Sequence, residues 1–178
     1  MATQTALTWS EFQKAGKEGQ RWEYVDGEVK FMSPSGLPHS LVIQQINVAV
    51  LKFVEENPTW VSVPVDGIFT MRSGNWRSPD WCLVRRERLA GGVPEGPATF
   101  PPDVAFEVIS PSDTWSDIQG KRREYRTNGV IQVWVDPQER TVEVISSTHG
   151  TRTFTEGQTV ILEELPGFVM NLFPVPTG

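Results

Sequence analysis

Two carboxylates and one ammonium stand out in this sequence because their surroundings are wrong for them. Asp103-Val-Ala-Phe-Glu-Val-Ile109 is a nearly continuous apolar run, the pattern of a strand covered on both faces, with Glu107 in its middle. Alternation places Asp103, Ala105, Glu107 and Ile109 on one face and Val104, Phe106 and Val108 on the other. A carboxylate so placed is costly unless it is paired or binds a metal. The alternative is an edge strand that shows Glu107 to water. Further on, Asp117, Ile118, Lys121 and Tyr125 share one sector of a helix at ~100° per residue. Lys121 therefore points along the seam where Ile118 and Tyr125 should meet the sheet, unless it merely snorkels. Asp80, in Ser78-Pro-Asp-Trp81, opens a short apolar strand. Together Asp80, Glu107 and Lys121 suit a hard cation, Mg²⁺ or Mn²⁺, which takes oxygen ligands and keeps waters. Such a cation polarises a phosphodiester and lowers the pKa of a bound water. The ammonium would stabilise charge developing on the phosphoryl oxygens. The two carboxylates also fit the acid/base pair of a glycoside hydrolase, a reading that leaves Lys121 without a role.

The elements that must position these groups can be read along the chain. Thr8-Trp-Ser-Glu11 is a capping box and predicts a short helix ending near Gly19. Trp22–Val25 and Glu28–Met32 flank Asp26-Gly27, a two-residue hairpin signal. Ser33–Pro38 reads as a loop. Apolar spacing from His39 to about Glu56 predicts the longest helix, stopped by Asn57-Pro58. Strands are expected at Trp60–Val65, Ile68–Met71, Trp81–Val84, Val104–Ile109, Ile131–Val135, Thr141–Ser146 and Thr151–Thr155. A helix from about Trp115 to Thr127 should end at Asn128-Gly129. The apolar, Pro-broken tail from Val160 to Pro174 reads as a short strand and loop. The expected fold is α/β (α+β): one domain over 1–178, with a central mixed sheet flanked by helices and an N-terminal hairpin.

Composition bounds the partners. The 178 residues include 16 Lys+Arg, 22 Asp+Glu and seven Trp, for a net charge of −6. That total argues against a broad phosphate-binding surface. Yet nine of the sixteen bases lie in two short segments, 72–88 and 121–126, which keeps nucleic acid in play. Arg77, Arg85, Arg86 and Arg122 are placed to clamp phosphates, or else belong to solvated faces. Trp76, Trp81 and Trp115 could stack on bases, but core positions are the expectation. The single Cys82 excludes a disulfide framework and a multi-cysteine zinc site. No contiguous apolar run approaches the ~20 residues of a membrane span, and no secretory signal opens the chain, so a cytoplasmic protein is expected.

The motifs also carry a resemblance. Ser78-Pro-Asp80, Phe106-Glu107-Val-Ile-Ser110-Pro-Ser, Asp117-x-x-x-Lys121-x-x-x-Tyr125, Gly129-Val and Trp134-Val-Asp136-Pro resemble the "putative restriction endonuclease" family of the PD-(D/E)xK nuclease superfamily. Asp26-Gly-Glu28, Met32-Ser-Pro and His39 are similar to its N-terminal pattern, so the likeness spans about residues 20–170. It implies a restriction-endonuclease-like core and a Mg²⁺-dependent endonuclease that acts on DNA, with many relatives working as homodimers. Asp80 and Glu107 would then be metal ligands and the Val108 carbonyl another, with Lys121 as the catalytic lysine. A strict Glu-x-Lys motif would place that lysine at 109, where Ile109 stands; here it is displaced onto the following helix. Glu28, His39 and Asp117 become auxiliary candidates, although Glu28 also reads as an ordinary hairpin residue and His39 as a helix-start residue. An inactive binding or regulatory module on the same fold is the alternative function.

Overall fold

The computed structural model describes residues 8–15, 21–32 and 36–173. The Thr8 capping box forms: the Thr8 N–H donates to Glu11 Oε2 at 2.8 Å, and the Glu11 N–H donates to Thr8 Oγ1 at 3.3 Å. It opens α1 (Trp9–Ala15); the end expected near Gly19, and Ser33–Ser35 of the loop, lie outside the described residues. β1 (Trp22–Val25) and β2 (Glu28–Phe31) then pair around Asp26-Gly27, whose φ values of 52° and 87° are those of a mirror-image hairpin turn. α2 (Leu37–Glu56) is the longest helix.

The central sheet is built from six later strands. β3 (Trp60–Val63), β6 (Trp81–Arg85), β7 (Val104–Val108), β8 (Ile131–Asp136), β9 (Thr141–Ser146) and β10 (Gly150–Thr155) form six strands in the order β10-β9-β8-β7-β6-β3. Only β7 and β8 run parallel, and the crossover between them is α3 (Trp115–Thr127). Two further pieces complete the chain. β4 (Phe69–Thr70) and β5 (Trp76–Arg77) extend the hairpin into a four-stranded sheet, β2-β1-β5-β4, that the sequence reading did not separate from the central one. β11 (Thr159–Ile161) and β12 (Val169–Asn171) pair within the tail.

Each face of the central sheet has its own helix. On one, Val42, Ile46, Val50 and Phe53 of α2 pack with Leu83, Val104, Phe106, Val133 and tail residues such as Phe168 and Met170. On the other, Ile118 and Tyr125 of α3 pack with Cys82, Ala105, Trp134 and Ile145. β7 is therefore covered on both sides, and the edge-strand alternative for Glu107 is excluded: all five of its residues are buried. α2 is 20 residues long with a mean hydropathy of 1.2, enough by length and composition to cross a membrane. Gln44, Gln45 and Asn47 interrupt its apolar residues, so no long contiguous apolar run marks it in the sequence. Its inward stripe lies against the sheet.

Candidate active site

α3 is held in place at both ends. Thr114 caps it by accepting the Asp117 N–H through its side chain. At the other end Gly129, at φ +73°, takes the left-handed conformation that stops a helix, and the Val130 N–H reaches back to the Tyr125 carbonyl at 3.0 Å. So fixed, Ile118, Lys121 and Tyr125 turn onto the sheet as the wheel predicts, and all three are buried.

The carboxylates meet through strand register. Trp81 pairs with Phe106 across the antiparallel β6–β7 ladder. Continuing by one residue sets Asp80 opposite Glu107, with both side chains on the α3 face. Both are buried, at 3% and 5% exposure. Asp80 Oδ2 accepts the Val108 N–H at 2.9 Å, and His39 Nε2 stands 3.4 Å from the same oxygen. Asp80 Oδ1 takes Arg21 at 2.8 Å. Burial pushes the Asp80 carboxyl up, but the His39 hydrogen bond and the charges of Arg21 and Lys121 hold it well below its usual range.

Glu107 is balanced differently. Its Oε1 accepts the Tyr125 hydroxyl at 2.6 Å, and Lys121 Nζ lies 2.8 Å from that oxygen and 2.9 Å from Oε2. Burial raises the Glu107 carboxyl to about 7; Lys121 opposes the rise, while the Asp80 and Glu23 carboxylates add to it. The ammonium itself stays charged, since Glu107, Glu23 and Asp80 outweigh its burial.

Glu23, absent from the sequence-derived set, completes the cluster. Lys121 Nζ is 3.0 Å from its Oε1, which also accepts the Ser78 N–H at 3.0 Å. Its Oε2 accepts Arg77 at 2.8 Å, and Arg77 Nε reaches Glu124. Despite burial, Lys121 and Arg77 hold the Glu23 carboxyl low. The signal that exposed Glu107 was also present here: an acid inside the apolar strand Trp22-Glu-Tyr-Val25.

The other predicted residues divide. His39 and Asp117 line the same cleft, about 510 Å³ in volume, as Asp80, Glu107, Val108, Lys121 and Arg77. Asp117 sits at its rim, 3.3 Å from Lys30 Nζ. Glu28 does not join them: it is exposed on β2 opposite Val25, and Glu23 of the neighbouring strand supplies the buried acid instead. Nor do three arginines reach the cleft. Arg85, at the far end of β6 from Asp80, lies 4.0 Å over the Trp60 ring. Arg86 donates to the Pro58 carbonyl, and Arg122 pairs with Glu143 and lies over Trp134. Arg77 is present but bound on both sides by carboxylates. Of the tryptophans, Trp81 is core and Trp76 half-buried, whereas Trp115 is 71% exposed, against the core expectation.

A mixed sheet with a helix on each face and the β7–α3–β8 crossover beside its acids is the architecture of restriction-endonuclease-like nucleases. A family model named Uma2 and described as "Putative restriction endonuclease" matches residues 9–173, and the chain belongs to that family. Membership supports a nuclease. Its fold is similar to the crystal structure of "a putative nuclease belonging to DUF820 from Anabaena variabilis ATCC 29413". The TM-score is 0.75 at 19% identity, covering 89% of this chain and 90% of that one. A cryoEM structure of a DrdV–DNA complex aligns over 64% of this chain and 12% of that one, at 10% identity and a TM-score of 0.37. Among curated proteins none matches.

Proposed function

We propose that this chain is a divalent-metal-dependent endonuclease that hydrolyses phosphodiester bonds in DNA, its residues 1–178 acting as one domain. The carrying observation is the buried cluster of Asp80 and Glu107 from adjacent strands with Lys121 Nζ 2.8 Å from Glu107, at the wall of an open cleft. The donors fit a hard cation: two carboxylates from neighbouring strands, with the Val108 carbonyl as a further oxygen. Among the described residues no group of three or more His, Cys, Asp or Glu is arranged to hold a metal ion. Such an ion, Mg²⁺ or Mn²⁺, would polarise the phosphodiester and lower the pKa of its water.

The protein's own groups do the rest. Lys121, held charged by its carboxylate neighbours, presents an ammonium where charge develops on the phosphoryl oxygens. Tyr125 and Glu23 fix its position and that of Glu107 by filling their remaining hydrogen bonds. His39 and the Val108 N–H orient Asp80. The test is nicking of supercoiled plasmid with Mg²⁺ or Mn²⁺. Cleavage is expected to fall on the order of a hundredfold or more in Glu107→Gln and Lys121→Ala, with the fold preserved by circular dichroism. Activity unchanged by either substitution, or by chelation, would overturn the reading. Two copies would bring two clefts to the two strands of a duplex; sedimentation as a monomer with DNA present would remove that homodimer.

One observation favours the inactive module instead: Arg21 occupies Asp80 at 2.8 Å, where a metal would bind. Calorimetry separates the two readings. Heat from Mn²⁺ uptake supports the nuclease, and its absence supports the module.

A further inference from the structure

The central sheet has two outer strands, and their edges are finished differently. β10 ends one side with Thr151, Thr153 and Thr155 exposed, side chains that suit water. β3 ends the other, between Pro58 and Pro64. The Arg86 N–H donates to the Thr59 carbonyl at 2.8 Å, which sets the phase of the β3–β6 ladder. Val61 and Val63 therefore bond to β6, and Ser62 between them aims its N–H and C=O at the open edge. Beside that edge runs an apolar groove, on the α3 face where Val63, Leu89 and Phe100 pack. Val61, Leu89 and Val93 line both of its halves, about 330 and 760 Å³ in volume, and Val93 is 80% exposed. An open strand edge flanked by apolar surface is suited to another chain.

The two ends of this groove carry opposite charge. Arg85, Arg86 and Glu87 line the half beside Thr59. Arg85 lies over the Trp60 ring and Arg86 donates to the Pro58 carbonyl, so neither charge is spent on a carboxylate. Asp66 and Glu95 line the half beside Val63, and among the described residues no Lys or Arg lines it. Asp66 stands 3.6 Å from Arg21 at the neighbouring cleft. A second copy laid antiparallel along β3 brings its Val63 end beside the Thr59 end of the first. Each basic end then meets an acidic one, and the match occurs twice. The surface is complementary to itself.

We infer that the β3 edge is a self-association surface, on which two copies pair β3 antiparallel about a two-fold axis at Ser62. The two Ser62 residues exchange backbone hydrogen bonds, and Val61, Leu89 and Val93 of each copy are covered. The pairing uses up the β3 edge of both, so assembly stops at two. Its axis is normal to the joined sheet, which keeps both α3 faces, and hence both clefts, on one side. This gives the homodimer of the proposed function its interface and needs no cleavage for proof. The experiment is sedimentation equilibrium of the full chain without DNA or metal, where a monomer–dimer equilibrium is expected. Val93→Asp should raise the dissociation constant roughly tenfold or more, because the dimer would bury an unpaired charge. Arg86→Glu and Glu95→Arg should each do the same by setting like charges against each other. An equimolar mixture of those two variants should associate again, since every altered end then meets its opposite. Thermal melting of each variant confirms folding.

A wild-type chain that stays monomeric at every concentration would overturn the inference and leave the groove to a different protein. So would a dimer that all three variants leave intact, because the contact would then lie elsewhere. A mixture of Arg86→Glu and Glu95→Arg chains that fails to associate would overturn the antiparallel pairing. Plasmid nicking judges the nuclease reading separately: a monomer that cuts refutes only this interface. A dimer broken and restored as described that never cuts refutes only the nuclease.

Discussion

The two faces of the central sheet are built from the same strands to opposite ends. Toward α2, Leu83, Val104, Phe106, Val133 and Val135 make a wholly apolar layer. Toward α3, the alternate residues of those strands give Cys82, Ala105 and Trp134, and then Asp80 and Glu107 interrupt the layer with Lys121 and Tyr125 above them. The first face obtains its stability from area removed from water. The second gives up part of that area for buried charge, whose desolvation is offset only while every partner stays in place. One face is a foundation and the other an instrument, and mutation should separate them.

The largest effect is expected where charge balance is broken. Lys121→Met leaves Glu23 and Glu107 buried without their shared ammonium and should cost about 3–5 kcal/mol in urea unfolding. Adding Glu107→Gln should recover part of that loss while cleavage stays abolished. If Lys121→Met were neutral, the α3 face would be no different from the α2 face.

Leu83→Ala, on the α2 face and fully buried, should cost about 2–5 kcal/mol through its cavity. Mn²⁺ uptake by the folded protein should be unchanged, as calorimetry would show. A loss of metal affinity here would mean that the faces are not separable.

A pH series sharpens the comparison from the α3 side. With Glu107 raised to about 7, its carboxyl holds a proton below that pH, and a cation must displace it. Mn²⁺ affinity should therefore rise about tenfold per unit, or ~1.4 kcal/mol, up to pH 7 and level off above it. A flat titration between pH 5 and pH 7 would deny that Glu107 is a ligand.

The smallest effect concerns the frame of α3. Gly129→Ala meets nothing within 4 Å but must keep φ near +73°, so about 1 kcal/mol of thermal stability should be lost through the backbone alone. A larger loss would show that the end of α3 couples into the charged cluster.

What could be read in the sequence follows from what each signal depends on. α3 and β9 emerge with the bounds expected, Trp115–Thr127 and Thr141–Ser146, because caps and alternation are local chemistry. Glu107 and Lys121 announced themselves as charges within apolar patterns. Glu23 did so less clearly, since a four-residue hairpin strand has little pattern to violate. The arginines failed for another reason. A cluster of bases records charge but not the acids that fold against it: Glu143 lies outside both basic segments yet pairs with Arg122, and Glu124 of one segment pairs with Arg77 of the other. Trp115 ends exposed because, at ~100° per residue, it is turned about 90° from the sheet-facing sector of Ile118, Lys121 and Tyr125, which no count of tryptophans reveals.

The central claim is that Asp80 and Glu107 hold a divalent cation beside Lys121. A crystal soaked in Mn²⁺ tests it most directly. One anomalous peak is expected within ~2.0–2.6 Å of an oxygen from each carboxylate, with Arg21 moved off Asp80 and Lys121 still near Glu107. Density that leaves the Arg21–Asp80 pair intact, with no peak between Asp80 and Glu107 at saturating Mn²⁺, would contradict it.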